Sequence, residues 1–423
     1  MYKLENTLRP YAWGSTTAIA QLFGREPSGR PEAELWLGAH PDSPSQVVLP
    51  DGSSEPLDRL IATNPSVALG PDCVESFGDS LPFLVKVLAA DAPLSLQVHP
   101  TQEQARRGFQ DEEAAGIPRD AGNRNYKDAN HKPEMLFALT PFEALCGFRE
   151  PAESAQLLIE VRAAITGAGG SEPELLTRLI DVLNGPLPEP ERLEQAFDRL
   201  INGGDDVGSL LEAAAAALED HRPGKFTLEL GTAVELARQY PGDPGVLITL
   251  LLNRLSLQPG EAVYLPAGNI HAYLNGLGVE VMASSDNVLR GGLTPKHVDV
   301  PELMKTVEFA TAAVPELVAE RTGLGQEVYR PPFQEFQLQR IEIPADSTSM
   351  AADDIPVVQN GPAIVLAVRG SIVLDSPHGD LRLEPGGSAF LPADEAPVMA
   401  KLVNDQGAGP SGALAFAVTI STR

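Results

Sequence analysis

The sequence predicts a mainly β fold with α-helical content: two jelly-roll β-barrels, with a helical domain inserted into the first. Three observations predict it. Short apolar strands and Pro/Gly-rich turns fill residues 1–150 and return after about residue 241. Between them, residues 151–240 switch to apolar spacings of three and four, the period of a helix. Finally, Leu257-Gln-Pro-Gly-Glu-Ala-Val-Tyr-Leu-Pro266 and Leu383-Glu-Pro-Gly-Gly-Ser-Ala-Phe-Leu-Pro392 share a spacing, which points to two related barrels.

Taken in order, Glu34–Gly38, Leu81–Leu88, Leu94–His99 and Met135–Leu139 read as strands, with helices at Leu57–Ala62 and Gln102–Phe109. Ala152–Ile165, Glu174–Leu183, Glu189–Ile201, Val207–Leu218 and Leu228–Tyr240 read as helices divided by Gly-Gly and Pro breaks. The Ala-rich run from Leu210 to Leu218 has the strongest helical propensity of the set. From Val246 the β character is expected to return, with Asn253–Pro266 as strand, turn, strand. A second strand-rich block runs from about 325 to the end. The expected division is a first β domain from 1–150 and 241–320, a helical insertion at 151–240, and a second β domain at 321–423.

Composition narrows the function. The chain has 423 residues, enough for two or three domains, and 43% are hydrophobic. Its 31 basic and 58 acidic side chains give a net charge of −27. That charge argues against a broad nucleic-acid or anionic-membrane surface, because both need basic patches. A small anionic substrate stays possible, since the local field of a pocket decides that case. The segment Met1-Tyr-Lys-Leu-Glu5 has no apolar stretch of signal-peptide type, and Val246–Leu252 is too short to span a bilayer. With two cysteines, Cys73 and Cys146, no disulfide framework is expected, and a cytoplasmic location follows.

Four segments carry chemistry. In Leu94-Ser-Leu-Gln-Val-His-Pro100, a strand puts Ser95, Gln97 and His99 on one face, opposite Leu94, Leu96 and Val98. Such a row is either a liganding surface or a solvated strand face. In Tyr126-Lys-Asp-Ala-Asn-His-Lys-Pro-Glu134, Pro133 argues for extended backbone, so Lys132 and Glu134 share a face and His131 points elsewhere. A Glu that enters an apolar strand must be paired, here with Lys132, or bound to a metal if it is buried.

The third segment, Gly260 to Asn275, fits G-x5-P-x4-H-x3-N with His271 at the histidine position. In the fourth, Glu280 lies within an apolar strand and Arg290 precedes two glycines that would let backbone approach a ligand. Arg290 suits a phosphate or a developing oxyanion, or it pairs with Asp286 as a loop clamp. Lys86, inside Leu84-Val-Lys-Val-Leu88, lies on a solvated face or is held for a purpose.

The His271 pattern resembles the second motif of the cupin superfamily, in which that histidine binds a metal. Gln97-x-His99 resembles the first cupin motif with one histidine replaced. Together the segments resemble the type I phosphomannose isomerases over most of the chain. Tyr126–Glu134 fits the signature Y-x-D-x-N-H-K-P-E, and His271 through Glu280-Val-Met-Ala-Ser-Ser-Asp-Asn to Arg290-Gly-Gly-Leu-Thr-Pro-Lys296 fits a second. One departure stands out: Gly291, where the family usually has Ala.

The resemblance implies interconversion of mannose 6-phosphate and fructose 6-phosphate, a step of mannose metabolism. It implies one Zn²⁺ per chain, held by Gln97, His99, Glu134 and His271, with Arg290 assigned to catalysis. The chemistry needs an acid/base group near C1 and C2 and a holder for charge on an enediol-like intermediate. Arg290 stays protonated and is therefore a charge stabiliser. Lys132 and Glu280 are the acid/base candidates, with Lys132 first because it shares a face with a metal ligand. Ser95, Lys86 and Lys296 are expected at the substrate phosphate, and His131 at ring opening. The expected enzyme is a monomer acting on a hexose phosphate, with no nucleic acid or membrane. An iron-dependent cupin oxygenase and a non-enzymatic sugar-binding cupin are the rival readings, and the basic residues and the Tyr126–Glu134 signature weigh against them.

Overall fold

A computed structural model describes residues 1–219, 224–324, 326–345, 354–403 and 412–421. Parts of the strand-rich block expected after 325 lie outside these residues. The fold is sheet-rich with helices. Among the described residues, five helices of 10 to 17 residues follow one another between the strands Phe142–Phe148 and Leu252–Leu257: Pro151–Gly167, Glu174–Leu183, Glu189–Ile201, Gly204–Leu218 and Thr227–Gln239. Their buried faces pack on the sheet rather than only on each other. Phe148 from the strand, Phe197 from the third helix and Phe309 meet with ring centroids 5.5–6.1 Å apart.

The expected strand from Val246 is not found. Gly245–Ile248 is a helical turn and Thr249–Leu251 a 3-10 turn, and the strand begins at Leu252. The reason is burial on every side. Val246–Leu251 is fully buried, and a run without a polar face carries no period to separate helix from strand.

The recurring Pro-Gly phrases also do something other than close hairpins. Leu252–Leu257 pairs with Phe142–Phe148, while Ala262–Leu265 pairs with Glu134–Ala138. Likewise Gly379–Leu383 pairs with Ile372–Ser376, while Ser388–Leu391 pairs with Ala363–Arg369. Each phrase carries the chain from one partner strand to another across a turn. Gly260 and Gly386 take positive φ there, 97° and 84°, which an L side chain rarely adopts.

The site is built around one long strand, His271–Ala283. It pairs with Phe142–Phe148, Leu96–Val98, Phe83–Ala90 and Glu134–Ala138. Among the described residues these strands form part of a ten-stranded sheet. Among the described residues a nine-stranded sheet takes most of the C-terminal strands, and also Tyr2–Glu5, Gln46–Val48 and Ser54–Pro56. The first sixty residues are thus shared between two sheets. On the C-terminal strand Ala363–Arg369, Ile364, Leu366 and Val368 pack toward Val85, Met135 and Val279 of the other sheet. Ala363, Val365 and Ala367 face the opposite way, into a separate cluster. Period-two alternation on that strand therefore serves two cores at once.

Candidate metal centre and active-site cleft

The second half of His271–Ala283 has Lys86 opposite Glu280 in register, and its first residue has Gln97 opposite His271. Glu134 opens its own strand opposite Met282. His99 follows directly on Leu96–Val98. Three of the predicted ligands come together: donor atoms of His99, Glu134 and His271 lie within 4.8 Å of one another, all buried. His99 Nε2 is 3.4 Å from Glu134 Oε1, and His271 Nε2 is 3.3 Å from Glu134 Oε2.

The ring orientations set the tautomers. His99 Nδ1 sits 2.7 Å from the Asn287 carbonyl and His271 Nδ1 3.0 Å from the Asn269 carbonyl. A carbonyl only accepts, so each Nδ1 carries the proton and donates it, and each Nε2 presents a lone pair. Those Nε2 atoms and Glu134 Oε2 are buried without a hydrogen-bond partner. Buried polar atoms left unpaired are costly, and a divalent cation between them satisfies all three. Burial and the Lys132 ammonium push His99 down to about 4, so the ring is neutral, as a ligand must be. Burial alone would raise Glu134, but the Lys132 ammonium holds it well below the usual carboxylate range. Two imidazoles and a carboxylate are zinc donors by type. Gln97 adds its place beside His271 and lines the adjoining cleft.

That cleft, about 560 Å³, is also lined by Lys86, Ser95, Arg290 and Lys296. Gln97 and Arg290 are opposite one another in register. Arg290 makes no ion pair with a described residue. Asp286 pairs instead with His40 at 3.6 Å and Arg119 at 3.5 Å, so the clamp between Asp286 and Arg290 is not what the fold builds. Lys296 is lowered by burial and by the nearby charges of Arg290 and Lys127, which places three cations about one end of the cleft. Gly291 departs from the family pattern by one methyl group. A Cβ there would meet Ile270 Cδ1 at 3.3 Å and Leu96 Cβ at 3.6 Å, a tight but small change.

Lys86 is buried, with Nζ 2.9 Å from Glu280 and 3.8 Å from Glu34. Burial alone would lower it, but Glu280, Glu34 and Glu134 override that and keep it charged. Burial, helped by Glu134 and Glu34, raises Glu280 above the usual carboxylate range against the pull of Lys86. Lys132 Nζ lies 2.9 Å from Glu134 Oε1. His131 does not join this group: it lines a different cavity, of about 490 Å³, and pairs with Glu335.

Sequence reasoning passed over Glu34, Trp36 and Asn287. Glu34 and Trp36 are two apart on one strand, so they share a face, and Trp36 is opposite Lys86. Trp36 Nε1 donates to Glu34 at 2.6 Å, and Lys86 Nζ is 5.3 Å from the Trp36 ring. An acid two residues before a tryptophan in an apolar strand is the signal that could have found them.

Comparison with known proteins agrees with this arrangement. The sequence model of the type I phosphomannose isomerase catalytic domain matches residues 1–151. The chain is 41% identical over 403 residues to mannose-6-phosphate isomerase of Salmonella typhimurium, covering 95% of this chain and 97% of that protein. Its likeness to the human mannose-6-phosphate isomerase is 32% over 422 residues, 94% of each. A crystal structure of a single-site variant of phosphomannose isomerase from Salmonella typhimurium superposes with a TM-score of 0.84 at 37% identity, covering 100% of this chain and 99% of that one. A zinc-bound holo structure of mannose 6-phosphate isomerase superposes with a TM-score of 0.83 at 38% identity, covering 98% of both.

Proposed function

The chain belongs to the type I phosphomannose isomerase family, and from that membership we propose how its own residues carry the reaction. It is an aldose–ketose isomerase that interconverts mannose 6-phosphate and fructose 6-phosphate at a zinc site. The observation that carries the reading is three buried donor atoms without partners, beside a cleft with Lys127, Arg290 and Lys296 in its wall.

The residues that would hold zinc are Gln97, His99, Glu134 and His271. Bound there, zinc supplies a Lewis acid that polarises the oxygens on C1 and C2 of an open-chain sugar. Arg290 stabilises charge on the enediol oxygens, because its guanidinium stays protonated in the half-buried wall of the cleft. Lys296 and Ser95 receive the phosphate, with Lys127 adding to the local positive field.

Proton transfer between C1 and C2 we assign to Glu280 working through Lys86. Lys86 Nζ lines the cleft and touches Glu280 at 2.9 Å. To act as the base, Lys86 first gives one proton to the Glu280 carboxylate; its free amine then takes the proton from C2, returns it to C1, and recovers its own proton from Glu280. Lys132, which contacts Glu134, we assign to holding that carboxylate in place. His131, which faces the other cavity, we leave outside ring opening.

We extend the proposal to organisation. Residues 1–150 and 241–320 form a catalytic cupin-type jelly roll, 151–240 a helical insertion, and 321–423 a non-catalytic β domain of the same type. The succession of elements supports this division, with the first strands lent to the C-terminal sheet. We propose a monomer in a reducing cytoplasm, which the two free, buried cysteines support. No helix among the described residues is long and apolar enough to cross a membrane.

The test couples fructose 6-phosphate formation to a spectrophotometric readout with Glu280→Gln, Lys86→Met and Lys132→Met chains. The first two should lose the C1–C2 proton transfer and retain zinc. A Glu280→Gln chain of near-normal turnover would remove Glu280 from the mechanism.

A further inference from the structure

Asn287 is fully buried between a loop and a metal ligand. Its carboxamide is saturated by the loop 127–130. Oδ1 accepts from the backbone N–H of Lys127 at 2.7 Å and of Asp128 at 3.3 Å. Nδ2 donates to the carbonyls of Asp128 and Asn130, both at 2.8 Å. An amide has two donor hydrogens and two acceptor lone pairs, and this one spends all four on one short loop. The same residue turns its backbone carbonyl the other way, to accept from His99 Nδ1 at 2.7 Å.

The loop it holds leads directly into Lys132 and Glu134. One residue therefore stands behind two ligands from different strands: His99 through a carbonyl, and Glu134 through the loop that delivers it. We propose that Asn287 is a positioning residue that couples zinc occupancy to the order of the 127–130 loop. The proposal rests on the zinc reading above. A ligand's second nitrogen held by a carbonyl fixes the ring and raises its basicity, so disturbing that partner weakens metal binding. Coupling of this kind is reciprocal: what the loop does to zinc, zinc does to the loop. Ser285 is the natural comparator. Its hydroxyl ties the same loop, donating to Asp128 Oδ1 at 2.8 Å and lying 3.1 Å from the Asn130 carbonyl; it reaches the His99 side only through a long 3.3 Å bond from the Asn287 N–H and makes no bond to His99 itself.

The experiment measures zinc affinity by competition with a chromophoric chelator in the unmodified, Asn287→Asp and Ser285→Ala chains, alongside thermal midpoints of the metal-free proteins. Asn287→Asp turns the donating end of the amide into an oxygen facing two carbonyls. Its zinc affinity should fall about 10- to 100-fold, and Ser285→Ala should lose distinctly less. Unchanged zinc affinity in a folded Asn287→Asp chain, whatever its thermal midpoint, overturns the coupling. Should that variant fail to fold, hydrogen exchange on the unmodified chain decides. Zinc should slow the Lys127 and Asp128 amides several-fold, and exchange unmoved there while zinc binds overturns the proposal. An unmodified chain that binds no zinc refutes the reading of the site itself, a separate outcome from failure of the coupling.

Discussion

At the residue scale, the site rests on which nitrogen of each imidazole carries the proton. Two backbone carbonyls decide it, and both free lone pairs then face Glu134. Replacing His271 by Ala should remove stoichiometric zinc and with it turnover; a variant retaining both would show that the ligand set lies elsewhere. Arg290→Ala should leave zinc content unchanged and lower kcat about 10²–10³-fold, the usual loss for one oxyanion-stabilising group. Metal analysis beside steady-state rates checks both halves, and near-normal kcat would free Arg290 of its role. Much of this was legible in residue order. Alternation put Ser95, Gln97 and His99 on one face, and an acid entering an apolar strand marked Glu134. What alternation cannot say is what occupies the space a face looks into. His131 was placed off the Lys132 face, as found, but its actual neighbour, Glu335, lies 204 residues away. Asn287 escaped because an amide in a polar stretch looks like any loop residue until its four bonds are seen.

At the element scale, the loop between Gln102–Ala114 and Glu134–Ala138 is the most closely determined part of the site. Arg124 is buried and bonds the carbonyls of Tyr126 and Ile117 as well as Glu112 and Glu113. Tyr126 packs over Gly108, where an added Cβ would lie 2.3 Å from its ring. Gly108→Ala should therefore cost about 1–3 kcal/mol by overpacking, read from urea unfolding; an unchanged midpoint would mean the ring moves aside freely. The far side of this loop is held by His131 on Glu335, which precedes the strand Gln337–Ile343. Burial alone would raise Glu335, but His131 holds it below its ordinary value. A carboxylate depressed by folding adds stability above its unfolded pKa and loses it as pH falls through the folded value. His131→Ala should flatten the loss of stability on acidification, and an unaltered pH profile of unfolding would contradict the pairing. Helices Glu174–Leu183 and Glu189–Ile201 were readable to the residue because each has one wet and one dry face. Val246–Leu251 was not, since it has no wet face at all.

At the scale of the whole molecule, the parts named from the sequence are joined more closely than any linear division suggests. Tyr2–Glu5 pairs with Ser388–Leu391 at the opposite end of the chain. No local pattern announces a partner nearly four hundred residues away, since pairing at that distance is set by the cores on either side of the sheet. The helical segment is bound in by the same logic. Phe197→Ala should cost about 3–5 kcal/mol by opening a cavity between helix and sheet, measured by denaturant unfolding; a loss below that range would show the helices stand alone. The net charge of −27 coexists with a cleft that gathers Lys127, Arg290 and Lys296 at one end and keeps Glu34, Asp42 and Asp286 elsewhere in its lining, so the field that a phosphorylated sugar meets is local and not that of the whole surface. All of this converges on one zinc-dependent isomerase, in which His99, Glu134 and His271 form a group able to hold the metal. The most direct test follows fructose 6-phosphate formation from mannose 6-phosphate after exhaustive chelation, and again as zinc is returned. Activity should vanish with the metal and return in full at one zinc per chain. Full activity in the metal-free protein would contradict it.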